Sequence, residues 1–227
     1  MLNLNAKAAL ALLVVCFFVN ASQAGFVITV NQVGSDVELT YSGSFTGLVG
    51  NHNHPGTWPG NVFSGVSRDR FFARASSFNG YDGSWSGSGP FVAANRPDFF
   101  PGLPVSPGGP FNIGSTNVAP GSQTFWVDGT TDLTRQGRFY IDPTLLVTTG
   151  ATKTYTASGS FKIVGSTLTS FGLTVPSTRT WDWTQSGQSF VAGNTVTITA
   201  VPEPSSLACV SGLVAGLSVL SRRRRQA

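Results

Sequence analysis

The chain has 227 residues, of which 41% are hydrophobic and only 11% charged, and its formal net charge is +4. Lys7 and the four arginines at 222–225 supply five of the 14 cations and Glu203 one of the ten acids, so residues 25–201 carry nine of each and are electrically neutral. That excludes the concentrated basic face nucleic-acid binding favours. With Cys16 and Cys209 the only cysteines, residues 25–201 also lack any disulfide, zinc–thiolate site or cysteine nucleophile.

Residues 1–24 read as a secretory signal peptide. Lys7 precedes an apolar run at 8–19, and Ser22, Gln23 and Ala24 supply small residues where a signal peptidase reads, which places cleavage after Ala24. A run of about 12 residues is well short of the ~20 that a membrane-spanning helix needs. The implied partners are the export translocon and signal peptidase.

The body, 25–201, is long enough for one domain with its own core. Its many Gly, Ser and Thr, and the presence of only three lysines in the whole chain, favour short strands and turns over helices. Residues 26–30 open it as a strand. Val37, Leu39 and Tyr41 alternate along 36–41, and the 33–36 link reads as a hairpin turn. Further strands are expected at 68–75, 123–127, 137–141, 152–164, 167–175, 181–185 and 195–201. The pattern predicts an all-β fold, a single β-sandwich or jelly roll. Seven of the 13 prolines fall between Pro90 and Pro120, so 87–121 reads as a long surface excursion with an edge strand around 111–113 as an alternative.

Candidate chemistry in the body is sparse. His52 and His54 alternate as metal ligands can, but the flanking Gly50, Pro55, Gly56, Pro59 and Gly60 make the segment a turn, and the chain has no third histidine. No metal or other cofactor is expected. Trp181 and Trp183 share one strand face, and Trp58, Tyr81, Trp85 and Trp126 stand in loop-like contexts. Indoles so placed either stack on sugars or fill the core, and core packing is the favoured reading of the 181/183 pair. Trp58, Trp85, Trp181 and Trp183 are retained as carbohydrate-contact candidates. Asp69, Asp82, Asp98, Asp142 and Asp182 are the acids a glycoside hydrolase would have to bring together. No Gly-x-Ser-x-Gly elbow, zinc-protease helix or phosphate-binding glycine loop occurs, so the body is read as non-enzymatic.

The C-terminal segment, 202–227, has three parts. Pro202, Glu203 and Pro204 come first, and an uncharged run at 205–221 follows. Arg222, Arg223, Arg224 and Arg225 close it. As a helix the run reaches roughly 26 Å, close to the ~30 Å hydrocarbon core. The prolines delay its start to about Ser205, and the arginines hold the C-terminus in the cytoplasm with the body outside. This order resembles the PEP-CTERM sorting signal of exported bacterial proteins. The resemblance implies that Pro202, Glu203 and Pro204 are recognised by an exosortase-type membrane transpeptidase, with the arginines as stop-transfer anchor. It further implies a cell-envelope location and an association with exopolysaccharide matrix.

Overall fold

The computed structural model describes residues 25–48, 54–57, 64–73, 77–93, 96–105, 116–129, 137–185 and 194–201. The expected signal peptide, the 202–227 segment and the alternative strand at 111–113 lie outside them. The described residues are all-β, with strands β1 Gly25–Val33, β2 Asp36–Leu48, β3 His54–Thr57, β4 Gly65–Ser67, β5 Arg70–Ala73, β6 Ser77–Ser86, β7 Phe91–Ala93, β8 Arg96–Pro97, β9 Thr116–Val118, β10 Phe125–Asp128, β11 Gly137–Ile141, β12 Leu146–Thr149, β13 Thr152–Ile163, β14 Ser177–Gln185 and β15 Thr195–Val201. Short 3-10 turns occupy Pro143–Leu145 and Thr169–Phe171.

Thirteen of the strands form one sheet, ordered β12-β13-β2-β1-β15-β14-β6-β11-β10-β5-β4, with β3 beside β6 and β9 beside β13. β7 and β8 make a separate hairpin. The first and last strands, β1 and β15, pair in parallel at the centre, from Gly25 opposite Thr195 to Asn31 opposite Val201. Period-two patterning explains the inner face: Phe26, Ile28 and Val30 on β1 and Val196, Ile198 and Ala200 on β15 are all buried. Gly34, with φ +62°, makes the expected turn between β1 and β2, a conformation glycine adopts without steric cost.

The sheet curls until its two halves meet. Phe26 of β1 stacks on Phe125 of β10 with centroids 3.9 Å apart. Phe45 of β2 meets Phe139 of β11 at 4.2 Å, and Phe161 of β13 meets Phe71 of β5 at 5.5 Å. The core is therefore aromatic, formed between the β1–β2–β13 side and the β5–β10–β11 side.

Three sequence expectations need correction. Residues 167–175 are not a strand. Leu168, Phe171 and Leu173 are buried from a 3-10 turn, and Gly172, at φ +68°, ends it. The 87–121 stretch is not a surface excursion throughout: Gly87, Ser88, Pro90 and Phe91 are exposed, but Phe99, Phe100 and Leu103 are buried in the core. The 68–75 strand is, over its described residues, the turn and second strand of the β4–β5 hairpin.

Phe125 touches aromatic rings from both halves. Phe125→Ala should lower unfolding free energy by about 3–5 kcal/mol, measured by denaturant titration. A loss under 1 kcal/mol would show that this ring does not join the halves.

Candidate functional site

Of the sequence-derived site residues, Pro202, Glu203, Pro204, the four arginines at 222–225 and Trp58 lie outside the described residues. The other three are within the core: Trp85, Trp181 and Trp183 are 2%, 0% and 1% exposed. As carbohydrate contacts they are corrected, since no ring face is open to a sugar. Glycines make room for the indoles. A Cβ on Gly137 would stand 2.1 Å from Trp85, and one on Gly83 would stand 2.3 Å from Trp183. The indole N–H of Trp85 donates to the Asp128 carbonyl at 3.2 Å, and that of Trp181 to the Pro90 carbonyl at 3.0 Å.

The fifth tryptophan is on the other side of the sheet. Phe125 and Val127 of β10 point into the core, so Trp126 and Asp128 point outward. The registers align Trp126 with Phe72 on β5 and Tyr140 on β11. These three form a second, smaller buried cluster against which Phe78 packs. Trp126 and Tyr140 lie stacked with centroids 4.0 Å apart and planes 20° apart, and Phe78 stands edge-on to both. Trp126 is only 9% exposed and Tyr140 5%, so this platform presents little open ring surface.

Two residues along each strand, the same registers make a row of charge. Arg70, Asp128, Arg138 and Asp82 stand side by side on β5, β10, β11 and β6. Arg70 Nε donates to Asp128 Oδ1 at 2.5 Å, and Arg138 Nε to Asp82 Oδ1 at 3.0 Å. Arg138 Nη1 also donates to the Tyr140 hydroxyl at 3.2 Å, tying the charged row to the aromatic one. Alternating signs on directly opposed residues are the favourable cross-strand arrangement.

A second tier surrounds the β4–β5 turn. Arg68 grips Asp98 through two hydrogen bonds of 3.1 and 3.0 Å. Arg96 pairs with Asp69, whose carboxylate also accepts from Ser67 Oγ at 3.1 Å. These pairs fasten β8 and the residues after it to the hairpin. The docking is legible only in three dimensions, because each arginine lies 27 or 30 residues from its aspartate.

Burial dominates the electrostatics. Desolvation pushes the Asp128 carboxyl up to about 6, against the pull of Arg70 and with a further push from Asp69. Tyr140 is raised by burial and by the Asp128 carboxylate, and Tyr81 by burial alone. Asp69, Asp82 and Asp98 are each bonded to an arginine, and Asp142 accepts from the Thr144 amide at 2.9 Å as the cap of a 3-10 turn. Asp69, Asp82, Asp98, Asp128 and Asp142 are thus charge-compensated or capping groups that hold strands and loops together. Among the described residues no group of three or more His, Cys, Asp or Glu side chains could hold a metal ion, and no helix is long and apolar enough to cross a membrane. Comparisons with protein families, curated proteins and solved structures found no match.

Arg70 and Asp128 are nearly solvent-free, their side chains 6% and 8% exposed. Arg70→Met should cost about 3–5 kcal/mol by stranding a buried carboxylate. Arg70→Met with Asp128→Leu should cost clearly less, and equal losses would show that the pairing carries no weight. The pH dependence has a defined sign. Asp128 binds its proton more tightly folded, at about 6, than at its ordinary 3.8. Its favourable contribution is fully present below pH 3.8 and lost as pH rises through 6. Wild-type Tm minus that of Asp128→Asn should therefore increase between pH 7 and pH 4. A flat difference would show that Arg70 holds the carboxyl at its ordinary value.

Proposed function

We propose that this chain is an exported protein of a bacterial envelope or extracellular matrix, sorted through residues 202–227, with a structural or adhesive body. The observation that carries the reading is the composite C-terminal order of Pro-Glu-Pro, uncharged 17-residue run and four arginines. The signal-like residues 1–24 direct the body to the same side of the membrane. Its partners are then the translocon, signal peptidase and an exosortase-type transpeptidase, with matrix polysaccharide as its surroundings. The body is read as one unit of β-sandwich or jelly-roll type, its facing layers supplied by the two halves of the curled sheet.

Features of the body favour a structural role. A domain without cysteine has to be stabilised by burial, and an aromatic core supplies much apolar surface per residue. Burial of Trp85, Trp181 and Trp183 takes away most of the support for a carbohydrate-binding module. A hydrolase reading is weakened likewise, because Asp69, Asp82 and Asp98 are bonded to arginines.

Intact mass of the protein recovered from the envelope and medium of its native host tests the reading. The expected species lacks residues 1–24 and the residues beyond the Pro-Glu-Pro region. A species that retains the full 205–221 run would make the chain a plain tail-anchored protein. Glu203→Ala should leave export intact and stop removal of the tail, since the signal peptide is untouched. Normal tail removal in that variant would remove Glu203 from the recognition element.

A further inference from the structure

Strands β14, β15, β1, β2 and β13 lie side by side. Their inward positions hold buried residues such as Trp181, Val196, Ile28, Tyr41 and Phe161, so the alternate residues point outward. The registers align Thr178, Thr199, Thr29, Thr40 and Ser160 in one outward row across these strands. Two residues along, Thr180, Thr197, Val27, Ser42 and Ser158 form a second row. A third runs from Asp182 to Thr156, and across all three rows only Val27, Asp182 and Gly25 lack a hydroxyl. Neighbours within a row are about 4.8 Å apart, and successive rows roughly 7 Å apart.

These hydroxyls are accessible. Thr40, Ser42, Thr156, Ser158 and Thr178 are exposed. The hydroxyls of Thr180 and Thr197 meet at 3.0 Å, whereas among the described residues those of Thr29, Thr40, Ser42 and Ser158 have no protein partner. Strand propensity accounts for threonine on such a face, but exposed sheet surfaces ordinarily carry lysine and glutamate as well. In the flanking row Glu38 stands opposite Lys162, so the charges there oppose each other. That chemistry selects the partner. A protein or lipid surface needs aromatic or aliphatic side chains to bury, and a polyanion needs cations; the rows offer neither. Each hydroxyl donates one hydrogen bond and accepts two, which matches a polymer that is itself uncharged and dense in hydroxyls. The sheet curls around its aromatic core, so the rows bow outward, and adjacent strands are rotated by about 20–25°. A flexible chain can follow such a row, and a flat crystal face cannot.

We propose that this hydroxyl face is a docking surface for an uncharged polysaccharide chain lying across the strands. The contact is made by hydroxyls, directly and through bridging water, and not by the buried tryptophans. No single bond is strong, so attachment comes from many of them along one polymer. As the adhesive contact of the body this face rests on the proposed function, whereas the binding itself does not.

Binding is measured on the full chain, purified in a detergent without a sugar headgroup. Immobilised dextran, pullulan and hydroxyethylcellulose serve as neutral probes and alginate as the anionic one. The neutral probes should bind, and alginate should bind more weakly. Combining Thr29→Val, Thr40→Val and Thr199→Val keeps strand-favouring side chains and removes hydroxyls from one row. That variant should raise the apparent Kd for the neutral probes about tenfold or more. Thr40→Lys with Ser158→Lys, both at exposed sites, is the second variant should the first fail to fold. It should weaken neutral binding and strengthen alginate binding. Thr148→Val removes an exposed hydroxyl on β12, outside the face, and should bind as the wild type does. Wild-type affinity in a folded face variant, equal wild-type affinity for alginate, or no binding to any neutral probe would overturn the docking. Intact mass is read separately on protein from the native host. Tail removal without polysaccharide binding would sink the docking face and leave the sorting role standing. Binding without tail removal would do the reverse.

Discussion

Phe26 can lie flat on Phe125 only if a sheet in which four strands separate β1 from β10 turns back on itself. Much of the remaining architecture follows from that closure. It brings β2 and β13 over β5 and β11, and it gives a disulfide-free domain one continuous apolar interior. The rings meet stacked, tilted and edge-on, the mixture that irregular aromatic packing favours over face-to-face sandwiches.

Rings of this size need space, and the glycines provide it. Gly83 and Gly137 are neighbours in register on β6 and β11, and each leaves room for an indole that a Cβ would occupy. Glycine weakens a strand in isolation, but here it lets large side chains approach the backbone. On the outer face the same strands solve a different problem. Their arginines and aspartates neutralise one another across the registers, so a row of ionised groups, nearly solvent-free at Arg70 and Asp128 and partly exposed at Arg138 and Asp82, has its opposing charge at hydrogen-bond distance. A row of this kind is sensitive to losing any single member.

The all-β class was legible wherever β-branched and polar residues alternate, as at 26–30, 36–41 and 195–201. The long strand Ser77–Ser86 was not, because Asn79, Gly80, Asp82 and Gly83 read as turn residues until neighbouring strands supply their hydrogen bonds. Residues 167–175 misled in the opposite direction. Leu168, Phe171 and Leu173 have a spacing that a 3-10 turn can bury as well as a strand can. Proline content made 87–121 look like surface, yet Arg68 reaches into it to bind Asp98, its own Arg96 reaches out to Asp69, and Phe99 and Phe100 turn inward. Trp181 and Trp183 were correctly paired on one face. Which face was inward depended on Gly83 and Gly89 lying opposite, and no local pattern reveals that.

The parallel union of β1 and β15 also bears on how the proposed C-terminal signal would be read by another protein. An antiparallel union would have placed Gly25 beside Val201. The parallel register instead puts Gly25 beside Thr195, so the start of the body and the departure of the tail are at opposite ends of β1. β15 lies between β1 and β14, and Ala200 is paired on both sides, with Val30 and with Ser177. Drawing the chain into an extended-peptide site at or before Ala200 would break both ladders and expose backbone groups that are now satisfied. Among the described residues Val201 is paired with Asn31 alone, and Pro202 has no amide hydrogen to add to either ladder. The ladders of β15 thus bind the chain on both sides as far as Ala200 and on the β1 side at Val201, directly before the proposed recognition element.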